Sequence, residues 1–179
     1  MTQITLAVTG SISAYKAADI TSQLTKLGFE VKVLMTPAAR KFITPLTLQV
    51  LSKNQVGLDV MIEDDPQRIE HIDIGKETDL FLVAPASANT IAKLAMGLAD
   101  NMVTSTALAL PQTTKKLLAP AMNTKMLEHP ATQRNLKLLQ DYGYQIIQPR
   151  EALLACGDKG SGALASVETI VETVKENCL

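Results

Sequence analysis

Short apolar runs alternate along this chain with longer segments whose apolar residues recur at helical spacing, and this alternation constrains the fold most. The run LFLVA at 80–84 is continuously apolar, which is typical of a parallel strand buried on both faces. An earlier run at 4–9 stops at Gly10 and is followed by a helical pattern over 12–27. Strands that alternate with helices predict a parallel sheet covered by helices on both faces.

The rest of the chain repeats this alternation. Thr36 and Thr44 each precede a proline, the pattern of an N-cap followed by the first helical residue, so we predict that helices start at both positions. The polar stretch 63–79 contains no predicted element and places His71 in a loop. Further strands are predicted at 30–35, 115–119 and 144–148, and further helices at 89–98, 102–110, 130–143 and 166–177. The predicted fold is one three-layer, doubly wound α/β domain (Rossmann or flavodoxin-like) spanning residues 1–179.

Composition excludes several classes of protein. The chain has 17 basic and 18 acidic residues among 179, and a net charge of −1 gives no electrostatic reason to bind nucleic acid or an anionic membrane. No apolar run approaches the roughly 20 residues needed to cross a bilayer, and the N-terminus lacks signal-peptide features. We therefore expect a cytoplasmic protein. Its two cysteines, Cys156 and Cys178, predict neither a disulfide nor a metal site.

The loops that follow the predicted strands meet at the carboxyl edge of the sheet, where open α/β folds bind ligands. Four of the five loops are rich in small residues and hydroxyl groups, as a phosphate site made of backbone N–H groups requires. Ordinary tight turns with helix caps are the alternative interpretation. The five loops read TGSISAYK, MTPAAR, APASANT, APAMNTKM and PREALLACGDKGSG.

The first of these loops limits the chemical classes of ligand that the site could bind. Its single glycine matches neither the three-glycine dinucleotide fingerprint nor the lysine-bearing phosphate loop, which disfavours a nicotinamide cofactor or a nucleoside triphosphate. A monophosphate fits better. The backbone amides of Gly10, Ser11 and Ile12 would hold it. The hydroxyl groups of Thr36 and Ser87 would add to these contacts.

The segment LLACGDKGSGAL at 153–164 holds Cys156 among three glycines, an acid and a base. Glycine-rich segments have weak preference for helix or strand, so we predict a mobile loop. An inert cysteine is normally buried, and these polar surroundings argue against that role for Cys156. Cys178, next to the C-terminus, is interpreted as incidental.

Five motifs, in this order along the chain, resemble those of the homo-oligomeric flavin-containing cysteine decarboxylases. The resemblance spans 10–162 and implies an FMN cofactor, with His71 as catalytic base, Asn123 as ligand of the substrate carboxylate and Cys156 as proton donor on a closing loop. It also implies a site between subunits of a homotrimer or of an assembly of trimers. The motifs are TGSISAYK, His71 in EHIDI, PASANT, PAMNTKM with HPATQRN, and ACGDKGSG. The implied FMN contacts are Gly10, Ser11, Ile12, Thr36, Ser87, Ala88, Asn89, Thr90 and Ala121.

The chain departs from the family pattern in two places. Leu127 stands where a tryptophan is usual, and Ala163 with Leu164 stands where the cysteine loop often continues with arginine and methionine. Neither departure removes a residue with a chemical role. They leave open how the loop holds the phosphate or amide groups of the substrate.

The resemblance implies decarboxylation of 4′-phosphopantothenoylcysteine to 4′-phosphopantetheine in coenzyme A biosynthesis. An amino acid carboxylate leaves as carbon dioxide only if its electrons have a sink, which flavin supplies by oxidising the carbon that bears sulfur. Carbon dioxide then leaves the resulting thioaldehyde. Protonation by Cys156 and return of the hydride complete the thiol product.

Alternative functions remain open on the sequence. A decarboxylase of peptidyl C-terminal cysteine would leave an unsaturated product, and a non-catalytic flavin-binding regulator or a flavodoxin-like electron carrier would not require His71, Asn123 and Cys156. Asn123 could instead cap the following helix, and His129 before Pro130 is interpreted as a helix-start residue. Because bifunctional relatives continue into a ligase domain beyond the position of Leu179, we expect this chain to decarboxylate only.

Overall fold

Five parallel strands form the sheet at the centre of the computed structural model, which describes residues 2–63, 65–153, 157 and 159–178. The strands are β1 (Gln3–Val8), β2 (Glu30–Met35), β3 (Leu80–Ala86), β4 (Lys115–Pro120) and β5 (Tyr144–Ile146). They are ordered β2-β1-β3-β4-β5, and every pairing is parallel. The α/β class predicted from the sequence is confirmed.

Helices cover both faces of this sheet. On one side lie α1 (Ala17–Lys26), α2 (Pro45–Ser52) and α8 (Val167–Cys178), which contribute Ile20, Leu48 and Ile170 to one buried cluster. On the other side lie α3 (Glu70–Glu77), α4 (Ala88–Met96), α5 (Met102–Ala109) and α7 (Pro130–Asp141), and α6 (Thr124–Glu128) precedes α7. Short 3₁₀ turns occupy Ile12–Lys16 and Ala39–Lys41. Within the described residues, no helix has the length and apolar character to cross a membrane.

Strand β3 explains why its sequence is apolar at every position. Leu80 and Leu82 contribute to the cluster beside α1 and α8, whereas Phe81 and Val83 contribute to the cluster beside α4 and α7. Successive side chains of a strand point to opposite faces, so a strand covered on both faces requires apolar residues throughout. The two buried clusters therefore meet at β3.

The strand order creates the crevice where the site forms. Strand β2 is the neighbour of β1 on one side, and β3 is its neighbour on the other. The strand order therefore reverses direction at β1. Loops that leave the carboxyl ends of β1 and β3 diverge to opposite faces, and ligands bind in the gap between them.

Two of the predictions are wrong, a helix start at Thr36 and a loop around His71. Thr36 does not start an α-helix: its Oγ1 accepts a hydrogen bond from the Ala39 backbone N–H at 3.2 Å, and only the short turn Ala39–Lys41 follows. The stretch containing His71 is not a loop, because α3 begins at Glu70. Gly75 of α3 packs so closely on α5 that an added Cβ would lie 3.2 Å from the Ala109 carbonyl oxygen. This long-range packing stabilises a helix that the polar local sequence does not indicate.

The glycine-rich segment also differs from the prediction. Strands β6 (Arg150–Leu153) and β7 (Lys159–Ala163) form an antiparallel hairpin outside the main sheet, so the part of the predicted loop at 159–163 is a strand. Pairing with β6 supplies the backbone hydrogen bonds that override the weak strand preference of its glycines. Cys156 lies outside the described residues.

Candidate active site

A cavity of about 470 Å³ opens where the carboxyl ends of β1, β3 and β4 face the β6–β7 hairpin. The sequence predicted a ligand site at this edge, and the cavity volume lies in the range of about 300–1,000 Å³ typical of small-molecule sites. Its described lining residues are Gly10, Ser11, Ile12, Ser13, Tyr15, Lys16, Ser87, Ala88, Ala121, Met122, Asn123, Met126, Arg150, Ala152, Leu153, Gly162, Ala163 and Leu164.

The loop after β1 forms a backbone cradle. Ser11 caps the 3₁₀ turn that follows, because its Oγ accepts a hydrogen bond from the Ser13 backbone N–H at 3.3 Å. A Cβ at Gly10 would lie only 2.6 Å from the Cβ of Ala38, so glycine lets these two loops pack together. Backbone N–H groups in such a tight turn suit an anionic ligand.

The loop after β3 places a helix N-terminus beside the same cavity. Ser87 is the N-cap of α4, and its Oγ accepts a hydrogen bond from the Thr90 backbone N–H at 3.3 Å. Its hydroxyl also bonds that of Thr90 at 3.2 Å. The positive end of the α4 dipole therefore faces a site already lined by Ser87 and Ala88.

A buried threonine links these two loops. The Thr9 hydroxyl donates a hydrogen bond to the Pro85 carbonyl oxygen at 2.6 Å and accepts one from the Ser87 backbone N–H at 2.9 Å. The Ala84–Pro85 peptide beside it is cis. Thr9 was predicted only as the end of a strand, because local sequence does not indicate which distant groups a hydroxyl bonds.

Asn123 approaches the cavity from the loop after β4. It caps α6, with its Oδ1 accepting a hydrogen bond from the Lys125 backbone N–H at 2.9 Å, so the capping alternative is confirmed. His129 likewise caps α7 through its Nδ1, which accepts from the Ala131 N–H at 3.1 Å. The cap fixes the orientation of the Asn123 amide, which lines the cavity.

The β6–β7 hairpin is attached to this asparagine loop. The Met122 backbone N–H donates to the Gly162 carbonyl oxygen at 2.9 Å, and the Thr124 hydroxyl donates to the Ser161 carbonyl oxygen at 2.5 Å. Gly162 has φ +132°, and a Cβ there would collide with the Met122 carbonyl oxygen. A glycine at this position therefore allows the hairpin to form one wall of the cavity.

The charged groups among the described lining residues are both cationic. Lys16 follows the β1 loop, and Arg150 begins β6. The pKa of the nearby Glu168 carboxyl lies below its usual value, first because of a hydrogen bond from its own backbone N–H and then one from Ser166, with a smaller contribution from Lys16. The cavity consequently favours anionic ligands. Sequence reasoning did not single out Tyr15, Lys16 or Arg150, although the first two lie within the TGSISAYK motif.

The structure brings most of the predicted site residues together. Gly10, Ser11, Ile12, Ser87, Ala88, Ala121 and Asn123 line the cavity, whereas Thr36, His71, Asn89 and Thr90 are not among its lining residues. Thr90 is buried behind Ser87, and Asn89 is exposed. Cys156 falls outside the described residues.

His71 lies in the first turn of α3, apart from the cavity lining of its own chain. Its Nδ1 is buried and makes no hydrogen bond within the described part of the chain. Exposed apolar side chains precede it at Met61, Ile62 and Ile69. Around the start of α3, exposed apolar side chains and a partly buried imidazole therefore occur among exposed charged residues.

Comparison with known proteins gives consistent results along the whole chain. The family model described as Flavoprotein matches residues 1–179. A probable phosphopantothenoylcysteine decarboxylase of Streptococcus mutans serotype c is 64% identical over 174 residues, or 97% of each chain. A coenzyme A biosynthesis bifunctional protein of Bacillus subtilis (strain 168) is 46% identical over 97% of this chain, which corresponds to 42% of the bifunctional protein.

Solved structures show the same fold. A cysteine-to-serine mutant of PPC decarboxylase complexed with pantothenoylaminoethenethiol superposes with a TM-score of 0.90 at 32% identity, covering 98% of this chain and 97% of that chain. The FMN-dependent cysteine decarboxylase SpaF superposes with a TM-score of 0.85 at 27% identity, covering 100% and 98%.

Thr9→Val tests the link between the two loops. The valine keeps the shape of the side chain but leaves the Pro85 carbonyl oxygen and the Ser87 N–H without this partner, so we expect the free energy of unfolding to fall by about 1–3 kcal/mol. Thr21→Val is the matched control, because the Thr21 hydroxyl is buried without a hydrogen-bond partner in the described residues. Its loss should leave stability unchanged or raise it. Denaturant unfolding at fixed protein concentration measures both, and equal effects of the two substitutions would contradict the link.

Gly162→Ala tests the attachment of the hairpin. The added Cβ collides with Met122, so the Met122 amide should lose its hydrogen bond and exchange with solvent at least about tenfold faster. Gly28→Ala is the control, since Gly28 also has positive φ (+87°) but no atom within 4 Å of an added Cβ. It should cost only the backbone strain of about 1–2 kcal/mol. Unchanged hydrogen exchange at Met122 in Gly162→Ala would show that the hairpin is held elsewhere.

Proposed function

We propose that this chain, which belongs to the Flavoprotein family, is an FMN-dependent decarboxylase that converts 4′-phosphopantothenoylcysteine to 4′-phosphopantetheine in coenzyme A biosynthesis. One observation carries the proposal: the β1 loop, the N-terminus of α4 and Asn123 line a single cavity. Likeness to a phosphopantothenoylcysteine decarboxylase at 64% identity supports the substrate. The reaction takes place in the cytoplasm in this proposal.

The cavity fits FMN. Its phosphate would bind the backbone cradle at Gly10 and Ser11 together with the Ser87 hydroxyl, where a turn and a helix N-terminus offer N–H donors. The described lining residues include no acidic side chain. Apolar groups of Ile12 and Met122 line the same cavity and suit a flat aromatic ring. When bound, FMN supplies the reversible electron sink that decarboxylation of a cysteine requires.

Asn123 holds the substrate carboxylate in this proposal. A neutral amide can orient a carboxylate through hydrogen bonds without a charge that would oppose its departure as carbon dioxide. The hydrogen bond from the Lys125 N–H keeps the amide in one orientation. Asn123 therefore acts as a binding group whose position depends on the α6 cap.

His71 acts as the base, and a second copy of the chain delivers it. The proposed assembly is a homotrimer, or an assembly of trimers, as the family resemblance implies. Two observations support an association in which α3 of one copy completes the cavity of its neighbour. The Nδ1 of His71 is buried without a partner among the described residues, and the apolar side chains of Met61, Ile62 and Ile69 before α3 are exposed in the single chain. An interface would cover this surface.

Cys156 supplies the proton that completes the thiol product. A thiol can give a proton to the carbon left by carbon dioxide, and reduced FMN would supply the hydride that a saturated product also requires. The same role predicts that a serine, whose hydroxyl is a much weaker acid, stalls the cycle at an unsaturated enethiol. A related cysteine-to-serine mutant was solved with pantothenoylaminoethenethiol, a compound of this type.

The mass of the product tests the function. The purified flavoprotein incubated with 4′-phosphopantothenoylcysteine should yield a product lighter by carbon dioxide alone. Cys156→Ser should retain FMN and yield a product lighter by carbon dioxide and two hydrogens. Oxidised product from the unaltered protein would indicate an oxidative decarboxylase of the peptidyl-cysteine kind. Unchanged substrate would refute the proposed activity, and normal product from Cys156→Ser would refute the role of the thiol.

Mixing two inactive variants tests the shared site. His71→Asn lacks the base, and Asn123→Asp keeps the acceptor that caps α6 but places a negative charge beside the substrate carboxylate. Each variant alone should bind FMN and lose nearly all activity. Equal amounts, unfolded and reassembled together, should regain about one quarter of the unaltered activity, because each site draws its two groups independently from neighbouring copies.

The control is each variant reassembled with itself, which should regain nothing. If the mixture also stays inactive although mass measurement shows mixed oligomers, both groups act within one chain and the shared site is wrong.

A further inference from the structure

Arg150 and Lys16 are the cationic groups among the described lining residues, and neither has a role in the proposed reaction. Arg150 is the first residue of β6 and pairs with Ala163 across the hairpin. Side chains of directly paired residues in an antiparallel ladder project from the same face, about 5 Å apart at Cβ. Ala163 is one of the three residues at which this chain departs from its family pattern, which often has arginine there. The hairpin register therefore places Arg150 opposite the position from which that arginine is absent.

The guanidinium of Arg150 is held by one contact. Its Nε donates a hydrogen bond to the Leu164 carbonyl oxygen at 3.0 Å. Its two Nη atoms have no hydrogen-bond partner in the described ranges, and the side chain is exposed along the cavity. An arginine anchored through Nε still presents a planar pair of N–H donors, a geometry that matches a phosphate group.

Lys16 is a weaker candidate for the same role. Lys16 ends the 3₁₀ turn Ile12–Lys16, which follows the β1 loop to which the FMN phosphate is assigned. Arg150 makes no ion pair with an acidic side chain of the described residues. Its charge is available to a ligand in the cavity.

We propose that Arg150 binds the phosphate of the substrate and makes the enzyme prefer phosphorylated pantothenoylcysteine over its unphosphorylated form. This inference rests on the proposed decarboxylase function. A phosphate monoester in this cavity could come from FMN or from the substrate. The FMN phosphate has its cradle at Gly10, Ser11 and Ser87, whereas Arg150 belongs to the hairpin wall, which is attached to the loop of Asn123 through Met122 and Gly162. Arg150 thus shares a wall with the group that holds the other end of the substrate.

Steady-state kinetics of Arg150→Ala with the two substrates test the inference. Arg150→Ala loses a hydrogen-bonded ion pair to the phosphate and the binding free energy that it contributes. The KM for 4′-phosphopantothenoylcysteine should therefore rise about tenfold to hundredfold. KM for unphosphorylated pantothenoylcysteine should change by less than about twofold, since that substrate does not use the charge. Arg150→Lys, which keeps the charge but not the planar pair of donors, should give an intermediate KM and serves as the test should the alanine variant fail to fold.

Arg134→Ala is the matched control, because Arg134 is an exposed arginine of α7 outside the cavity lining. It should leave both KM values unchanged. The affinity of each apoprotein for FMN, measured by quenching of flavin fluorescence, identifies the phosphate involved and should be unaltered in Arg150→Ala.

Three results separate the possible failures. An equal rise of KM for both substrates would show that Arg150 does not recognise the substrate phosphate. Weakened FMN binding with an unchanged ratio of the two KM values would assign Arg150 to the cofactor phosphate instead. Absence of turnover by the unaltered protein on either substrate would refute the proposed decarboxylase function, and the inference on Arg150 with it.

Discussion

The bond network of the Thr9 hydroxyl fixes the geometry on which the site depends. This single group donates to the Pro85 carbonyl oxygen and accepts from the Ser87 N–H, so it joins the end of β1 to the loop that starts α4. Both loops offer backbone donors to the same cavity, and their spacing decides whether those donors converge on one anion. Because the hydroxyl is buried, its loss would leave the Pro85 carbonyl oxygen and the Ser87 N–H unpaired at a cost in free energy.

The second wall of the cavity depends on close backbone approach. The hairpin meets the Asn123 loop where Gly162 leaves no side chain between two backbones, and the Met122 N–H then reaches the Gly162 carbonyl oxygen. Asn123, Arg150 and the glycine-rich strand are consequently held together at one side of the cavity. A substrate with a carboxylate at one end and a phosphate at the other would contact this side at two points.

The position of His71 shows how oligomerisation can complete such a site. Its imidazole lies on α3 and is not among the described residues that line the cavity of its own chain. Its buried Nδ1 is unpaired within the described residues. Exposed apolar side chains next to α3 provide the area that association would bury. In the proposed trimer, the same contacts stabilise the assembly and position the base.

Much of this molecule was predictable from local pattern. The continuous apolar run of β3 predicts a strand buried on both faces, the alternation of strands and helices predicts a parallel sheet, and the loop motifs at the carboxyl ends predict the ligand edge. Thr44 before Pro45 correctly predicted the start of α2, where proline is the first helical residue, although the Thr44 side chain makes no capping hydrogen bond within the described residues. Helix α3 and strands β6 and β7 were missed, because packing on α5 stabilises the helix and the two strands stabilise each other by pairing.

The sequence by itself therefore determined the fold class, the edge of the sheet where a ligand binds, and most residues of the β1, β3 and β4 loops that line the cavity. These follow from periodicity and from the residue types at strand ends, which act over a few residues. Only the tertiary structure decided that Thr9 joins two loops, that Arg150 faces the cavity opposite Ala163, and that His71 lies apart from it. Such relations depend on hydrogen bonds, strand register and packing between segments far apart in the chain, which no local pattern encodes.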